Sequence, residues 1–172
     1  RDDEEGVWWI TLTGLDPNKE YKFQYSFGAT SFDDRRTFDP YTEILYDAHN
    51  DQWIKDDVYP GLGNYSTTGF ISAFQINRPE YDWKVADYQI EDENDLVIYE
   101  LLLRDFTDNA YGEGNIKAAM EYLDYLDNLG VNAIELMPVQ EFDGNDSWGY
   151  GTHAYFAMDK VYGTREAYKE FI

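Results

Sequence analysis

The sequence predicts a two-part chain: the later portion of a β-sandwich, then the opening of a right-handed parallel α/β structure. Three observations carry this. Tyr21, Phe23, Tyr25 and Phe27 alternate with Lys22, Gln24 and Ser26, the period-2 signal of a strand with one buried face. Two short apolar runs, 96–103 and 131–139, read as strands of a parallel sheet buried on both faces. Between them Ile116, Ala119, Met120, Leu123, Leu126 and Leu129 recur at helical spacing, with Gly130 placed as the C-terminal stop.

The elements follow in order. Residues 7–12, rich in Trp, Ile and Thr, have strand composition, and Gly14-Leu15-Asp16-Pro17-Asn18 supplies turn chemistry before the strand at 21–27. Residues 28–69 carry clusters of Gly, Asp, Asn and Pro, so long loops are expected before a further strand at 69–76. Two or three such strands cannot close a sandwich alone. The acidic stretch 79–95 reads as a linker, which divides the chain into 1–78, 79–95 and 96–172. Beyond it the order is strand, glycine-bearing loop (107–115), helix, strand and long loop. A last helix runs over 165–172 with Thr164 as its N-cap.

Composition narrows the function. There are 13 basic and 35 acidic residues among 172, a formal charge of −22. Such a balance argues against nucleic acid and anionic membranes, both of which demand a basic face. No apolar run is long enough to span a bilayer. The absence of cysteine removes disulfides and thiolate chemistry, and two histidines are too few for a histidine metal site. Gly61-x-Gly63 and Gly112-x-Gly114 lack the flanking strand and helix that a phosphate loop requires.

The motifs say more. Asp95-Leu96-Val97-Ile98-Tyr99-Glu100 with Arg104-Asp105-Phe106-Thr107 resembles the first barrel strand of glycoside hydrolase family 13, the α-amylase family. The series from Leu126-Asp127-Asn128-Leu129-Gly130 through Glu135-Leu136-Met137-Pro138-Val139 is similar to that family's first helix end and second strand. Glu141-Phe142, Ser147-Trp148-Gly149-Tyr150, Tyr155-Phe156-Ala157 and Tyr162-Gly163-Thr164 match the loop after it, closest to the branch of pullulanases, isoamylases and branching enzymes. Gly14-Leu15-Asp16-Pro17 and Asp39-Pro40-Tyr41 resemble the late strands of the immunoglobulin-like domain that precedes such barrels. Gly151 and Met158 depart from the pattern, where Asn or Gln and Pro are usual.

The resemblance implies a partial immunoglobulin-like β-sandwich, carbohydrate-binding-like, over 1–78. It implies the first two β/α units of a (β/α)8 TIM barrel over 96–172. It implies a parent enzyme that hydrolyses α-glucans (starch, glycogen or related oligosaccharides) with retention through a covalent glycosyl-enzyme intermediate. The alternatives are a branching enzyme or other transglycosylase, and a noncatalytic glucan-binding protein. The family's nucleophile and acid/base lie on later strands, so they are expected C-terminal of this chain, which alone is expected to be inactive.

The site residues expected here form one wall. Tyr150 matches the tyrosine that stacks on the sugar beside the scissile bond; a flat amphipathic ring suits a pyranose face. Trp148 is a second platform or a loop anchor. Glu141 ends a strand and could bind sugar, although a buried pairing with Arg104 is the favoured reading, and His153 is a weaker substrate contact. Asp105 reads as a loop or capping residue. Trp8, Trp9 and Trp53 could form a starch-binding platform, with core packing favoured for at least two of them. No cofactor is required by the resemblance. Asp143-Gly144-Asn145-Asp146 offers oxygens of the kind Ca²⁺ takes but not a complete Ca²⁺ loop, so an acidic turn is preferred. The expected partner is an α-glucan, with no nucleic acid and no membrane span; oligomeric state is open. Family habit and the acidic surface point to a bacterial cell envelope or a secreted setting, with the cytoplasm also open.

Overall fold

Alternation at 21–27 produces strand structure, but in two pieces. β1 (Tyr21–Phe23) and β2 (Tyr25–Ser26) are separated at Gln24, whose amide donates to the carbonyls of Thr68 and Phe70 at 2.9 Å each. A computed structural model describes residues 3–28, 35–63, 65–85, 87–90, 92–107 and 114–172. β2 pairs with β3 (Arg36–Thr37). β1 and β4 (Ile44–Asp47) flank β5 (Phe70–Phe74) in a three-stranded antiparallel sheet ordered β1-β5-β4. β5 falls within the run expected at 69–76. β4 lies where long loops are expected. It holds only four residues inside a polar stretch, yet Leu45 is 1% exposed because its inner face meets the second half of the chain.

Residues 8–12 form no strand; no ladder runs along them among the described residues. The expected burial of tryptophans is also overturned. Trp8, Trp9 and Trp53 are all exposed, at 80%, 70% and 73%.

In the second half β6 (Ile98–Leu101) pairs in parallel with β7 (Ala133–Leu136), Ile98 opposite Ala133 and Leu101 opposite Leu136. The expected burial on both faces is absent: Ile98 and Glu100 face outward while Leu101 is buried. The apolar run 96–103 does not stay extended. Leu103 opens α1 (Leu103–Thr107), since an apolar run alone does not separate a strand from a buried helix start. Residues 108–113 of the expected loop at 107–115 lie outside the described residues.

The expected helix divides into α2 (Ile116–Met120) and α3 (Leu123–Leu129) at a turn over Glu121 and Tyr122. Ile116, Ala119 and Leu126 are buried, but Leu129 is exposed. Asn115 caps α2 by accepting from the Ala118 amide at 2.9 Å. Gly130 stops α3 with φ 89°, a left-handed conformation suited to glycine. The loop expected after β7 is instead an antiparallel hairpin, β8 (Gln140–Phe142) with β9 (Thr152–Met158). Register shifts on both sides of Glu141 break the period-2 pattern that would have announced it. α4 (Arg165–Phe171) follows Thr164, whose hydroxyl accepts from the Ala167 amide at 3.2 Å.

Leu101, Leu103, Ile116, Leu126, Phe142 and Tyr168 share the main core. A smaller cluster joins the halves: Leu45 of β4 meets Ala154 and Ala157 of β9, with Phe38 and Phe70 packed against them. The hairpin therefore rests on both halves.

Candidate functional site

Position comes from backbone fit. β7 ends at Leu136, and the Met137 amide donates to Leu101 O at 2.9 Å, which ties the ends of β6 and β7 together. Next comes Pro138, and Gly149 sits directly on it. Gly149 is buried with φ 90°, and a Cβ there would lie 2.2 Å from Pro138 O. Only glycine permits this approach, and it brings the tip of the hairpin down onto the C-terminal end of β7. Trp148 and Tyr150 flank Gly149 and point to solvent, 63% and 67% exposed. In a parallel βα arrangement this is the end at which ligands gather.

The loop is pinned from several directions. Gly149 N donates to Ser147 Oγ at 2.9 Å, Asp143 N to Gly151 O at 3.1 Å and Thr152 Oγ1 to Gly149 O at 3.3 Å. Arg104, in α1 at the end of β6, donates through Nη1 to Asp146 O. Asn145 Nδ2 donates to Asn50 O at 2.9 Å, across to the first half. The 143–146 turn is thus engaged through Arg104 and Asn50. Among the described residues no group of three or more His, Cys, Asp and Glu could hold a metal ion.

Glu141 is the principal correction. Its expected partner, Arg104, bonds instead to Asp105 Oδ1 at 2.9 Å. Glu141 is 4% exposed and takes Lys160, with Lys160 Nζ donating to Glu141 Oε1 at 2.6 Å. The same ammonium donates to Leu45 O at 2.6 Å and lies 3.2 Å from Asp51 Oδ1. Asp51 in turn accepts from Tyr65 Oη at 2.7 Å and from Asp47 N at 3.0 Å. Asp159 completes the group, accepting from the amides of Phe142 at 3.0 Å and Val161 at 2.9 Å. One buried lysine therefore joins hairpin, β4 and the turn at Asp51.

Three carboxylates around one ammonium shift one another. Burial, reinforced by the negative Asp159 and opposed by Lys160, pushes Glu141 up to about 8. Burial likewise raises Asp159 to about 6, against the pull of Lys160. For Lys160, burial alone favours the neutral amine, but Glu141 and Asp51 outweigh it and the ammonium is held. Glu141 Oε2 is buried and has no hydrogen-bond partner.

The structure brings Tyr150, Trp148 and Glu141 onto one hairpin but assigns them different surroundings: two exposed rings and one buried carboxyl. His153 packs edge-on against Phe70 at 4.6 Å, with Nδ1 buried and unbonded. It lies on the side of the hairpin that meets the first half. Asp51, Asp159, Lys160 and Asn50 were not singled out from sequence, and Asn145 was noted only within the 143–146 turn. A faint signal existed, since the charged pair Asp159-Lys160 interrupts an otherwise apolar run from Ala154 to Val161.

Residues 41–172 match the family model described as alpha amylase, catalytic domain. Malto-oligosyltrehalose trehalohydrolase of Saccharolobus solfataricus is 30% identical over 142 residues, 83% of this chain and 23% of that protein. The catalytic module of the multi-modular glycogen-degrading pneumococcal virulence factor SpuA, solved with an inhibitor, superposes with a TM-score of 0.58. It is 26% identical over 89% of this chain and 24% of that one. The group B Streptococcus pullulanase SAP, solved with maltotetraose, gives 0.55 at 27% identity over 83% of this chain and 20% of that one. The chain spans about a quarter of the length of the curated trehalohydrolase it matches. These likenesses mark the parallel half as related to a TIM barrel. No helix among the described residues is long and apolar enough to cross a membrane.

Proposed function

The chain belongs to the α-amylase catalytic-domain family, and on that premise we propose that a full-length protein carrying it is a retaining α-glucan hydrolase. In this reading a covalent glycosyl-enzyme intermediate forms and is hydrolysed. Its nucleophile and acid/base, two carboxyl groups about 5–5.5 Å apart, come from sequence beyond residue 172. Residues 1–172 supply one wall of the site. Tyr150 stacks on the sugar beside the scissile bond, Trp148 adds a second ring face, and Lys160 with Glu141 holds the hairpin that carries both. The observation that carries this is the seating of Gly149 on Pro138, which leaves its two aromatic neighbours exposed at the end of β7.

The finer architecture is part of the proposal. Residues 1–78 close an immunoglobulin-like sandwich, and 96–172 open a (β/α)8 barrel. Antiparallel order β1-β5-β4 and the parallel β6–β7 pair support the two assignments. The Leu45–Ala154 core gives the halves a shared contact.

Tyr150→Ala in the full-length protein tests the stacking role. Losing about 60 Å² of ring contact at about 25 cal/mol per Å² removes about 1.5 kcal/mol, a fall in kcat/KM on starch or pullulan of about tenfold. The melting temperature stays unchanged because the ring is exposed. Unchanged kinetics would remove Tyr150 from the site. Product analysis alongside separates release of reducing sugar from transfer to another glucan.

A further inference from the structure

One carbonyl oxygen links the aromatic loop to an exposed tryptophan outside the parallel half. Asn50 O accepts from Trp53 N at 3.0 Å and from Asn145 Nδ2 at 2.9 Å. Asn145 lies three residues before Trp148 and five before Tyr150. Trp53 ends a single 3-10 turn, Asp51–Trp53, and its indole is 73% exposed.

The turn is fixed. Asp51, at its first position, is 2% exposed and joined to Lys160, Tyr65 and the Asp47 amide. Gln52 Nε2 donates back to His49 O at 2.8 Å. An indole on a mobile loop would lose much of a stacking gain to ordering, whereas one on a fixed turn keeps it. The same ammonium that holds the turn also holds the hairpin of Trp148 and Tyr150, so the three rings ride on one rigid set of contacts.

We propose that Trp53 is an outer sugar-stacking position on the same face as Trp148 and Tyr150, engaging longer α-glucans and setting chain-length preference. The inference rests on the α-glucan reading above and adds to it a residue from outside the parallel half. A broad apolar ring presented beside polar backbone and amide groups suits the C–H face of a pyranose and its hydroxyl rim. In this proposal Trp53 is the position outward of Tyr150, since its turn is tied to the loop through Asn145 rather than to β7. A short oligosaccharide held at Tyr150 would not reach it; a long one would.

Calorimetric titration of the full-length protein with maltotriose and maltoheptaose tests this, comparing wild type, Trp53→Ala and Trp53→Phe. Reducing-sugar release from glycogen and pullulan is measured in parallel. Trp53→Ala is expected to raise the maltoheptaose Kd about tenfold, leave the maltotriose Kd unchanged, and be largely restored by Trp53→Phe. An equal loss for both sugars, or no loss for either, overturns the outer position. Should wild type neither bind these sugars nor cleave either polymer, the α-glucan reading itself falls and takes this one with it. Wild-type cleavage with Trp53→Ala binding indistinguishably overturns the Trp53 assignment alone.

Discussion

Gly149→Ala is the sharpest test of how the aromatic loop is placed. Two costs combine at this position. Its φ of 90° lies where a Cβ is disfavoured, at about 1–2 kcal/mol. In addition the new Cβ would stand 2.2 Å from Pro138 O, 2.9 Å from Pro138 Cβ and 3.0 Å from Pro138 C, in each case a backbone or ring atom with no flexible end to swing away. Cβ contacts under 3.0 Å essentially do not occur, so the loop must rise from 2.2 Å to at least 3.0 Å, about 0.8 Å. The strand end cannot yield in its place, because Met137 is bonded to Leu101 across the parallel pair. Lifting Gly149 lifts Trp148 and Tyr150 with it. A displacement near 1 Å in a positioning group can cost about 10²-fold in rate. The expected result in a full-length protein is therefore a fall in kcat/KM on α-glucan well beyond that of Tyr150→Ala, with a melting temperature lowered by a few degrees. Kinetics and melting both equal to wild type would refute the claim that the Gly149–Pro138 contact places the site.

Other expectations concern the buried charges beneath the loop. A carboxyl held up at about 8 against its ordinary 4.5 favours the fold below 4.5, and that contribution is lost as pH rises through 8. Glu141→Gln should therefore flatten the decline in urea midpoint between about pH 5 and pH 8; an unaltered slope would show that Glu141 ionises normally. Lys160→Met leaves Asp51 and Glu141 without their cation at 2–4% exposure. It should destabilise by about 3–5 kcal/mol, with partial recovery on adding Glu141→Gln, and a denaturation midpoint equal to wild type would show the ammonium to be dispensable.

Much of the parallel half was legible because its signals are local. Gly130 follows a helical apolar stripe and Thr164 precedes one, so each helix end was marked by a single residue whose preferred backbone or side-chain bond the structure uses. Pro138 likewise closed β7. The antiparallel hairpin was not legible. β8 and β9 shift register at Glu141, so the residues facing inward do not recur every second position. β4 was hidden for another reason. Its Leu45 is buried by Ala154 and Ala157, more than a hundred positions away, and nothing near Leu45 announces that partner.

The site divides along the same line. Trp148 and Tyr150 could be picked out because the family resemblance rests on a contiguous motif, Ser147-Trp148-Gly149-Tyr150, and the contact of Gly149 with Pro138 gives that motif its structural meaning. Glu141 was noticed as well, but its partner was not, because an ion pair is settled by which cation the fold delivers and at what depth. Arg104 stands at the end of β6, yet its guanidinium is committed to Asp105 and to the carbonyl of Asp146. Lys160 arrives from the far end of β9 with 2% exposure, and there its charge is worth most because no water competes for it. That depth explains why a lysine rather than a hydrophobic residue holds the hairpin. An apolar side chain at this position could not bond Leu45 O, Glu141 and Asp51 at once. It is this three-way bond that sets the hairpin against β4 and, through Asp51, fixes the turn on which Trp53 stands.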